Sequence, residues 1–536
     1  MTEKSCEVFI AGSGPIGATY ARKILENHPT ARVVMAEIGS QDNPRMGHHH
    51  KNSVRYQKDI DSFVHVIKGA LQEISVCPQS TFMSTLGEVA WNHPPGKPLI
   101  QSNHNPNQKP ELNLKSYVTR TVGGMATHWT CACPFPHKEE KKLCPIPAEE
   151  FDNLLQQAYT LLNVNLNEYD HSIRHTVVKE ALTACYGEER IKNLPLAVKR
   201  NTDNPEYVTW SGVDTILGQY AHSERFKLLT ETRVTRLIFP PEGGKKVERV
   251  LVRDLNASED KRDYVINAKY FVVACGAVCT PQILWHSGIR PYPLGRYLTE
   301  QSLTFCQIVL RRSIVESIPE RFPEQTKKHC KKNPEDPLPI PFNDPEPQVT
   351  MPYSSEKPYH VQIHRDAFAY GDVGPRADPR VVVDLRFFGK QDIHKDNRIT
   401  FAEPNHEGQN DGQTDAYGMP QATFHVQRNQ NDAQRDHDMM KDMCEAAHVL
   451  GAYLPGSEPQ FMEPGLVLHI TGTTRAGKDP EESVCDANSK VHVTDNVYVG
   501  GNNVIPDSTA CNPTLTSVAY AIKGAHNICR RLDERD

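Results

Sequence analysis

The chain has 536 residues, more than the about 100–200 that one domain usually takes, so we expect more than one structural unit. Its formal net charge is −6 with acidic and basic residues interspersed, which argues against nucleic acid as a partner. No apolar run reaches the about 18 residues that a membrane helix needs, so we expect no membrane span. These properties predict a globular protein with a polar exterior.

Neither the amino terminus nor the cysteines and histidines indicate special chemistry. The opening residues MTEKSCEVFIAG lack the pattern of a cleavable signal peptide, so the compartment stays open between a cytoplasmic or peroxisome-like location and export. Cys131-x-Cys133 and Cys275-xxx-Cys279 have no second cluster at zinc spacing, so we expect reduced, mostly buried thiols and no metal. The run His48-His49-His50 has no carboxylate at ligand spacing, which favours a solvated loop.

A dinucleotide-binding pattern opens the chain. The apolar run Val8–Ala11 predicts a buried parallel strand, and Gly12-x-Gly14-x-x-Gly17 follows it before a helical pattern. Gly12 permits a tight turn, Gly14 lets the backbone approach a pyrophosphate, and Gly17 lets helix and strand pack closely. The next strand ends in Glu37, which would accept hydrogen bonds from an adenosine ribose. This pattern does not choose between NAD and FAD.

Two later segments have the character of the same cofactor-binding unit. The stretch 271–274 predicts a buried strand, and Pro281 predicts the start of a helix, where its missing N–H costs nothing. A strand pair is predicted near Val234. At the carboxyl end, Val497–Val499 predicts a strand and residues 513–531 an amphipathic helix.

The middle of the chain has a different character. Residues 313–358 are rich in proline and charge, which predicts a surface excursion without long helices or central strands. After it, HVQIHRDAFAYG (360–371) and PRVVVDLRFFGK (379–390) alternate as antiparallel strands do. We expect these strands to belong to a sheet that binds the substrate.

Several further motifs together carry a resemblance to a known family. VTRTVGGMATHWTCACP places His128 directly after a glycine-rich turn, between Thr127 and Trp129. With PLGRYLTEQSLTFCQ, RDAFAYG, DLRFFGK, HITGTTRAG and CNPTLTSVAYAIKGA, in this order along the chain, it resembles the glucose–methanol–choline (GMC) family of flavoprotein oxidoreductases, and most closely the pyranose-oxidising members. The resemblance implies FAD as the cofactor and a homotetramer as the assembly. It also implies a covalent bond between a ring nitrogen of His128 and the flavin 8α-methyl group.

The resemblance implies a set of residues that contact the flavin, in addition to His128. Thr130 is expected near flavin N5. The full set expected to bind the cofactor is Gly12, Gly14, Gly17, Glu37, Gly123, Gly124, His128, Thr130, Val234, Asn512 and Thr514.

The resemblance also implies the catalytic pair, His469 and Asn512, assisted by Thr130. An imidazole with an ordinary pKa of about 6.5 is largely neutral at physiological pH and can accept the hydroxyl proton of an alcohol. The amide of Asn512 can donate to the alcohol oxygen. A second interpretation of Asn512 is a cap of the closing helix, and both roles are compatible.

A sugar-binding loop is expected at Asp366, Phe368 and Tyr370, with Gln362 before it and Arg386 on the neighbouring strand, beside His469 and Asn512. Aromatic faces suit the C–H surface of a pyranose, and amide or charged groups suit its hydroxyls. The alternative is that Phe368 and Tyr370 are core residues of a strand.

The expected fold class is α/β, with an α+β substrate domain. Segments 1–140, 230–300 and 460–536 would form a Rossmann-like FAD-binding domain. Segments 141–229 and 301–459 would form a substrate-binding domain with a large, mostly antiparallel sheet.

The function implied by the resemblance is FAD-dependent oxidation of aldopyranoses such as D-glucose at C2, with O2 reduced to H2O2 or a quinone as the acceptor. Oxidation at C3 of a sugar or glycoside and a sugar dehydrogenase remain alternatives, since no residue pattern fixes the carbon or the acceptor. A family lyase and a sugar-binding flavoprotein without catalysis are the alternatives outside oxidation.

Overall fold

The structure is a computed structural model, and it describes residues 4–53, 57, 59–77, 105–203, 207–364, 373, 377–403 and 414–534. Its β-strands are β1 Lys4–Ala11, β2 Val33–Ala36, β3 Leu71–Glu73, β4 Tyr117–Thr119, β5 Lys192–Asn193, β6 Val198–Arg200, β7 Val208–Trp210, β8 Phe226–Leu229, β9 Thr232–Ile238, β10 Arg249–Asp254, β11 Asp263–Val273, β12 Ser302–Leu310, β13 Gln348–Met351, β14 Tyr359–His364, β15 Val382–Gly389, β16 Arg398–Phe401, β17 Ala422–His425, β18 Gly451–Tyr453, β19 Gln460–Phe461 and β20 Val497–Val499.

The α-helices of the described residues are α1 Pro15–Asn27, α2 Ile60–Ala70, α3 Ala148–Leu161, α4 Ile173–Tyr186, α5 Val213–Leu217, α6 Gly276–His286, α7 Arg312–Glu316, α8 Ile318–Arg321, α9 Pro323–Lys332, α10 Gln430–Leu450 and α11 Thr514–Asp533. No helix of this part of the chain is long and apolar enough to cross a lipid bilayer.

The first large sheet assembles strands from distant parts of the sequence. Its order is β8-β2-β1-β11-β10-β9, and β20 pairs with β11. The pairs β2–β1, β1–β11 and β11–β20 are parallel, so β1, α1 and β2 form the expected dinucleotide-binding unit. Helices α1 and α11 pack against each other and cover buried strand residues such as Val8 and Ile10. The predicted α/β class is therefore confirmed.

One strand of this sheet comes from a stretch that we assigned to the substrate-binding domain. Strand β8 lies within residues 141–229, yet it pairs with β2 in parallel. The division of the chain into two domains, with its boundaries, stays a prediction.

The second large sheet is antiparallel, in the order β18-β12-β15-β14-β13-β5, with β19 paired to β12. The two strands predicted from alternation, β14 and β15, are its neighbours in the middle. Their odd-numbered residues, such as Ile363 and Leu385, pack with apolar residues of α4 and α10. Their even-numbered residues, including Gln362 and Arg386, therefore point to the opposite face.

The proline-rich stretch 313–358 departs from the prediction because it supplies a central strand, whereas the helices in it, α8, α9 and most of α7, are short. Strand β13 lies between β14 and β5, and all four of its residues are buried. This is possible because the strand fits between Pro347 and Pro352 without including either. Helix α9 starts at Pro323, where the missing N–H of proline has no partner to lose.

The predicted helix start at Pro281 is wrong. Helix α6 begins at Gly276, so Pro281 lies in its interior. A proline there leaves the carbonyl four residues earlier, that of Ala277, without its helical donor. The hydroxyl of Thr473 donates to this Ala277 oxygen at 2.6 Å instead. A residue almost two hundred positions away thus compensates for the proline.

We predict that Gly17→Ala destabilises the first sheet. A Cβ at Gly17 would lie 2.0 Å from the carbonyl oxygen of Gly12, so backbone would have to move. Overpacking of this kind costs about 1–3 kcal/mol, and the midpoint of thermal unfolding should fall. The control is Gly69→Ala in α2, where an added Cβ meets no atom of the described residues within 4 Å. Equal midpoints for the two variants would contradict the prediction.

Candidate active site

A cavity of about 300 Å³ is lined by most of the residues selected from the sequence. They come from the amino-terminal fingerprint, the glycine-rich turn before His128, and two carboxyl-terminal loops. The residues that line it are Gly12, Gly14, Glu37, Gly124, His128, Thr130, Val234, His469, Asn512 and Thr514. Four other predicted residues, Gly17, Gly123, Gln362 and Arg386, are outside this lining.

The fingerprint glycines have the steric roles that their spacing predicts. Gly12 has a φ of +96°, and a Cβ there would lie 2.5 Å from the carbonyl oxygen of Ala274. At Gly14, by contrast, an added Cβ meets nothing within 4 Å among the described residues, so the cavity is open at that point. The amino terminus of α1 therefore presents its first N–H groups at an open surface, as anion-binding helix ends do.

Glu37 is buried and already engaged by protein donors. Its carboxylate accepts from the Ser13 amide at 3.0 Å, the Ser13 hydroxyl at 2.7 Å and the Gly39 amide at 3.1 Å. Burial raises the pKa of Glu37. The backbone of Ile38 also hydrogen-bonds this carboxylate. The expected ribose contact stays a prediction.

Ser13 connects the fingerprint to the glycine-rich turn. Its hydroxyl oxygen accepts from the amide of Gly123 at 3.0 Å. Gly123 and Gly124 have φ values of +98° and +52°, a conformation that favours glycine. A Cβ at Gly123 would lie 2.7 Å from the Cα of Gly47. The turn then continues as a short 3₁₀ helix that delivers His128 to the cavity wall.

The imidazole of His128 is buried and neutral. Its Nε2 lies 2.8 Å from the hydroxyl oxygen of Thr119. Burial, assisted by the nearby His50, lowers the pKa of His128 to about 4. At neutral pH the ring therefore keeps a nitrogen lone pair.

The histidine run 48–50 is not the solvated loop that we expected. His49 is completely buried, its Nε2 donates to the carbonyl oxygen of Trp129 at 2.9 Å, and its Nδ1 accepts from the Lys51 amide. His48 contacts a carboxylate oxygen of Asp214 at 2.6 Å. The run thus supports the backbone directly after His128. Within the described ranges, no cluster of three or more potential ligands could hold a metal ion.

The structure brings His469 and Asn512 together, although they lie on separate loops. The Asn512 Nδ2 is 3.4 Å from the Nε2 of His469. On its other side, the ring Nδ1 lies 2.8 Å from the Oε1 of Gln301. The ring of Phe388 lies 6.0 Å from that of His469, centre to centre. Burial, with a smaller effect of His360, lowers the pKa of His469 to about 3.

The loops that carry this pair are each held by a buried glutamate side chain that sequence reasoning missed. Glu300 accepts from the backbone amide of His469 at 3.1 Å and from that of Gln301 at 2.7 Å. Glu140 accepts from the amides of Ala510 at 2.6 Å and Cys511 at 3.1 Å. Burial raises the pKa of Glu300 to about 8. No residue near either glutamate in sequence indicates the distant partners His469, Ala510 and Cys511.

Two of the predicted sugar-binding residues lie on the sheet face that points away from α4 and α10. Gln362 donates from its Nε2 to the Oδ1 of Asn512 at 2.5 Å. Arg386 is opposite Gln362 in the strand register and is fully buried. Asp366, Phe368 and Tyr370 lie outside the described residues, so their expected role stays a prediction.

Comparison with known proteins agrees with this geometry. Models of the GMC oxidoreductase family match residues 198–302 and 404–521. A pyranose 2-oxidase of Tricholoma matsutake is 59% identical over 97% of this chain and 93% of its own length. A pyranose 2-oxidase of Lyophyllum shimeji is 44% identical over 98% of this chain and 92% of its own length. The chain belongs to the GMC oxidoreductase family.

The fold of this oxidoreductase is also found in distant relatives. A structure of formate oxidase from Aspergillus oryzae, determined in a study of FAD modification, matches with a TM-score of 0.65 at 13% identity. The match covers 100% of both chains. The two-sheet architecture is therefore preserved where little sequence identity remains.

We predict that Glu300→Gln changes how the stability of this enzyme depends on pH. The pKa of Glu300 is raised to about 8 in the folded state and is about 4.3 when unfolded, so the folded state holds its proton more tightly. The stabilising contribution is complete below about pH 4.3 and is lost as the pH rises towards 8. Glutamine does not titrate, so this loss of stability does not occur in the variant. As the pH rises from 6 to 8.5, the unfolding free energy of the variant should therefore increase relative to that of the parent.

The measurement is the unfolding free energy of both proteins across this pH range by chemical denaturation. Glu189→Gln is the control, because the Glu189 side chain is fully exposed. If the curves for Glu300→Gln and the parent run parallel, the assigned proton at Glu300 is wrong.

Proposed function

We propose that this oxidoreductase binds FAD in the cavity and oxidises aldopyranoses such as D-glucose at C2, giving the 2-keto sugar. The observation that carries the proposal is the approach of His469 and Asn512 in the wall of a cavity that the dinucleotide fingerprint and His128 also line. The near full-length similarity to pyranose 2-oxidases supports the sugar as substrate and oxygen as an acceptor. The choice of C2 over C3 rests on those relatives.

The residues present fit FAD. The amino terminus of α1 opens onto the cavity at Gly14, which suits a pyrophosphate. Glu37 lines the same cavity directly after β2, the place from which an acidic residue of this fold contacts a ribose hydroxyl. When bound, FAD accepts the two electrons of a carbinol C–H bond and passes them to O2, giving H2O2, or to a quinone.

His469 is the residue that takes the hydroxyl proton of the sugar. Its low pKa keeps the imidazole neutral across the physiological range, so a lone pair is available to accept that proton. Asn512 can donate an N–H to the same oxygen and hold the alcohol in line. Thr130, which lines the cavity beyond His128, is proposed to contact the reactive edge of the cofactor.

The face of the second sheet is proposed to hold the sugar. Gln362 reaches the catalytic pair directly, through its hydrogen bond to Asn512, and can exchange that bond for one to a sugar hydroxyl. Asp366, Phe368, Tyr370 and Arg386 complete the proposed sugar site. A homotetramer is proposed from the family resemblance.

We also propose that His128 bonds covalently to the flavin. The ring is neutral because burial lowers its pKa, and a neutral imidazole is a competent nucleophile. Thr119 and the glycine-rich turn hold the ring in one position, so a bound cofactor would meet it at high effective concentration. The bond would prevent loss of the cofactor.

The covalent proposal predicts that yellow colour stays with the polypeptide after acid precipitation of the purified enzyme. Peptide mapping should find the flavin on the fragment that contains His128. In His128→Ala all flavin should appear as a free small molecule, whereas His394→Ala, at an exposed histidine, should behave like the parent. Release of all flavin from the parent would contradict the bond but not the family.

The role of His469 predicts that His469→Ala loses sugar-dependent bleaching of the flavin spectrum without oxygen. Loss of a general base typically costs about 10²–10⁴-fold, and flavin content should stay that of the parent. Anaerobic stopped-flow absorbance with D-glucose measures the rate. Near-parental bleaching in this variant would remove His469 as the base, and bound flavin without bleaching in the parent would favour a lyase or a binding protein.

A further inference from the structure

We infer that Gln301 is a positioning residue that fixes which nitrogen of His469 carries the proton. Its amide oxygen holds the proton on Nδ1, so that Nε2 keeps the lone pair that faces Asn512 and the substrate. The inference rests on the proposed function for its importance in catalysis. The proton position itself follows from hydrogen-bond geometry.

The orientation of the Gln301 amide is set by its second partner. The Gln301 Nε2 lies 2.9 Å from the carbonyl oxygen of Cys511 and 3.4 Å from the hydroxyl of Thr509. A carbonyl oxygen can only accept, so the NH2 end of the amide must face Cys511. The Oε1 of Gln301 therefore faces His469.

This orientation determines the tautomer of the ring. The Oε1 of Gln301 lies 2.8 Å from the Nδ1 of His469, and an amide oxygen can only accept. The Nδ1 must then donate. A neutral imidazole has one proton, so the Nε2 of His469 is left with a lone pair.

The hydrogen bonds on the other side of the ring agree with this tautomer. Asn512 accepts on its Oδ1 from Gln362 at 2.5 Å, so its NH2 end points towards His469. That NH2 group lies 3.4 Å from the ring Nε2, which must be an acceptor to receive it. Each hydrogen bond in the series Cys511, Gln301, His469, Asn512 and Gln362 therefore joins one donor to one acceptor.

Gln301 also fixes position, because it bridges the two catalytic loops. It is 4% exposed and directly precedes the first residue of β12. Its side chain contacts both the ring of His469 and the carbonyl oxygen of Cys511, the residue before Asn512. A glutamine orients the ring without charge. A carboxylate at this point would stabilise the imidazolium and thereby weaken the supply of neutral base.

The direct test is solid-state 15N–13C correlation NMR of the holoenzyme labelled in histidine, with His469→Gln recorded to identify the His469 signals. We expect the nitrogen bonded to Cγ, Nδ1, to be protonated and the nitrogen bonded to Cδ2, Nε2, to be unprotonated. The opposite assignment would overturn the inference. In Gln301→Leu the His469 signals should move towards a mixture of both tautomers, and unchanged signals would also overturn it.

A kinetic test separates positioning from a merely structural role. The rate of flavin reduction by D-glucose at saturating sugar should fall at least about ten-fold in Gln301→Leu, with a smaller change in the sugar concentration at half-saturation. The control is Gln108→Leu, at an equally buried glutamine that joins Ser75 and Phe424 elsewhere in the fold. Equal rates in the two variants would contradict the inference.

Gln301→Glu tests the charge argument and serves if the leucine variant does not fold. A carboxylate beside Nδ1 raises the pKa of His469, and the neutral base is lost as the pH falls through that raised value. The reduction rate of Gln301→Glu should therefore decline from about pH 8 to 5, while the parent stays flat. A flat profile in this variant would overturn the inference, whereas a parent that glucose does not reduce would overturn the proposed function.

Discussion

Two buried glutamates hold the loops on which the chemistry of this oxidoreductase depends. Glu300 accepts backbone N–H bonds from the loop of His469, and Glu140 accepts them from the turn before Asn512. A helix or strand would satisfy such amides internally, but these loops turn sharply and leave their donors inside the protein, where each unpaired group costs about 1–3 kcal/mol. The carboxyl oxygens of the two glutamates accept from these donors and so fix two side chains that are 43 residues apart.

Burial then gives both cavity imidazoles the protonation state that the proposed chemistry needs. His128 and His469 are surrounded by protein that disfavours positive charge, and the pKa of each falls by desolvation. A neutral ring serves as nucleophile towards the cofactor in one case and as base towards the substrate in the other. The same physical effect thus supports two functions. For His469, we infer that the uncharged Gln301 also fixes which ring nitrogen carries the proton.

The parts that sequence predicted are those whose signal is local or carried by the family resemblance. The fingerprint around Gly14 predicted β1, α1 and β2 because strand, glycine turn and helix are contiguous. Alternation predicted β14 and β15. Two of the failures involve distant partners. Pro281 is tolerated because the hydroxyl of Thr473 donates to the carbonyl that the proline leaves without a helical donor. His49 can be buried because the carbonyl oxygen of Trp129 accepts a hydrogen bond from its ring. Glu300 could not be selected, since no nearby residue indicates its contacts.

In the proposed reaction, a bound flavin takes electrons from C2 of a pyranose while His469 takes the proton. Anaerobic stopped-flow bleaching of the enzyme with D-glucose that carries deuterium at C2 or at C3 tests this reaction directly. Deuterium at C2 should slow bleaching several-fold, and deuterium at C3 should have no effect. Slowing by deuterium at C3 instead, or no bleaching with either sugar, would contradict the proposed reaction.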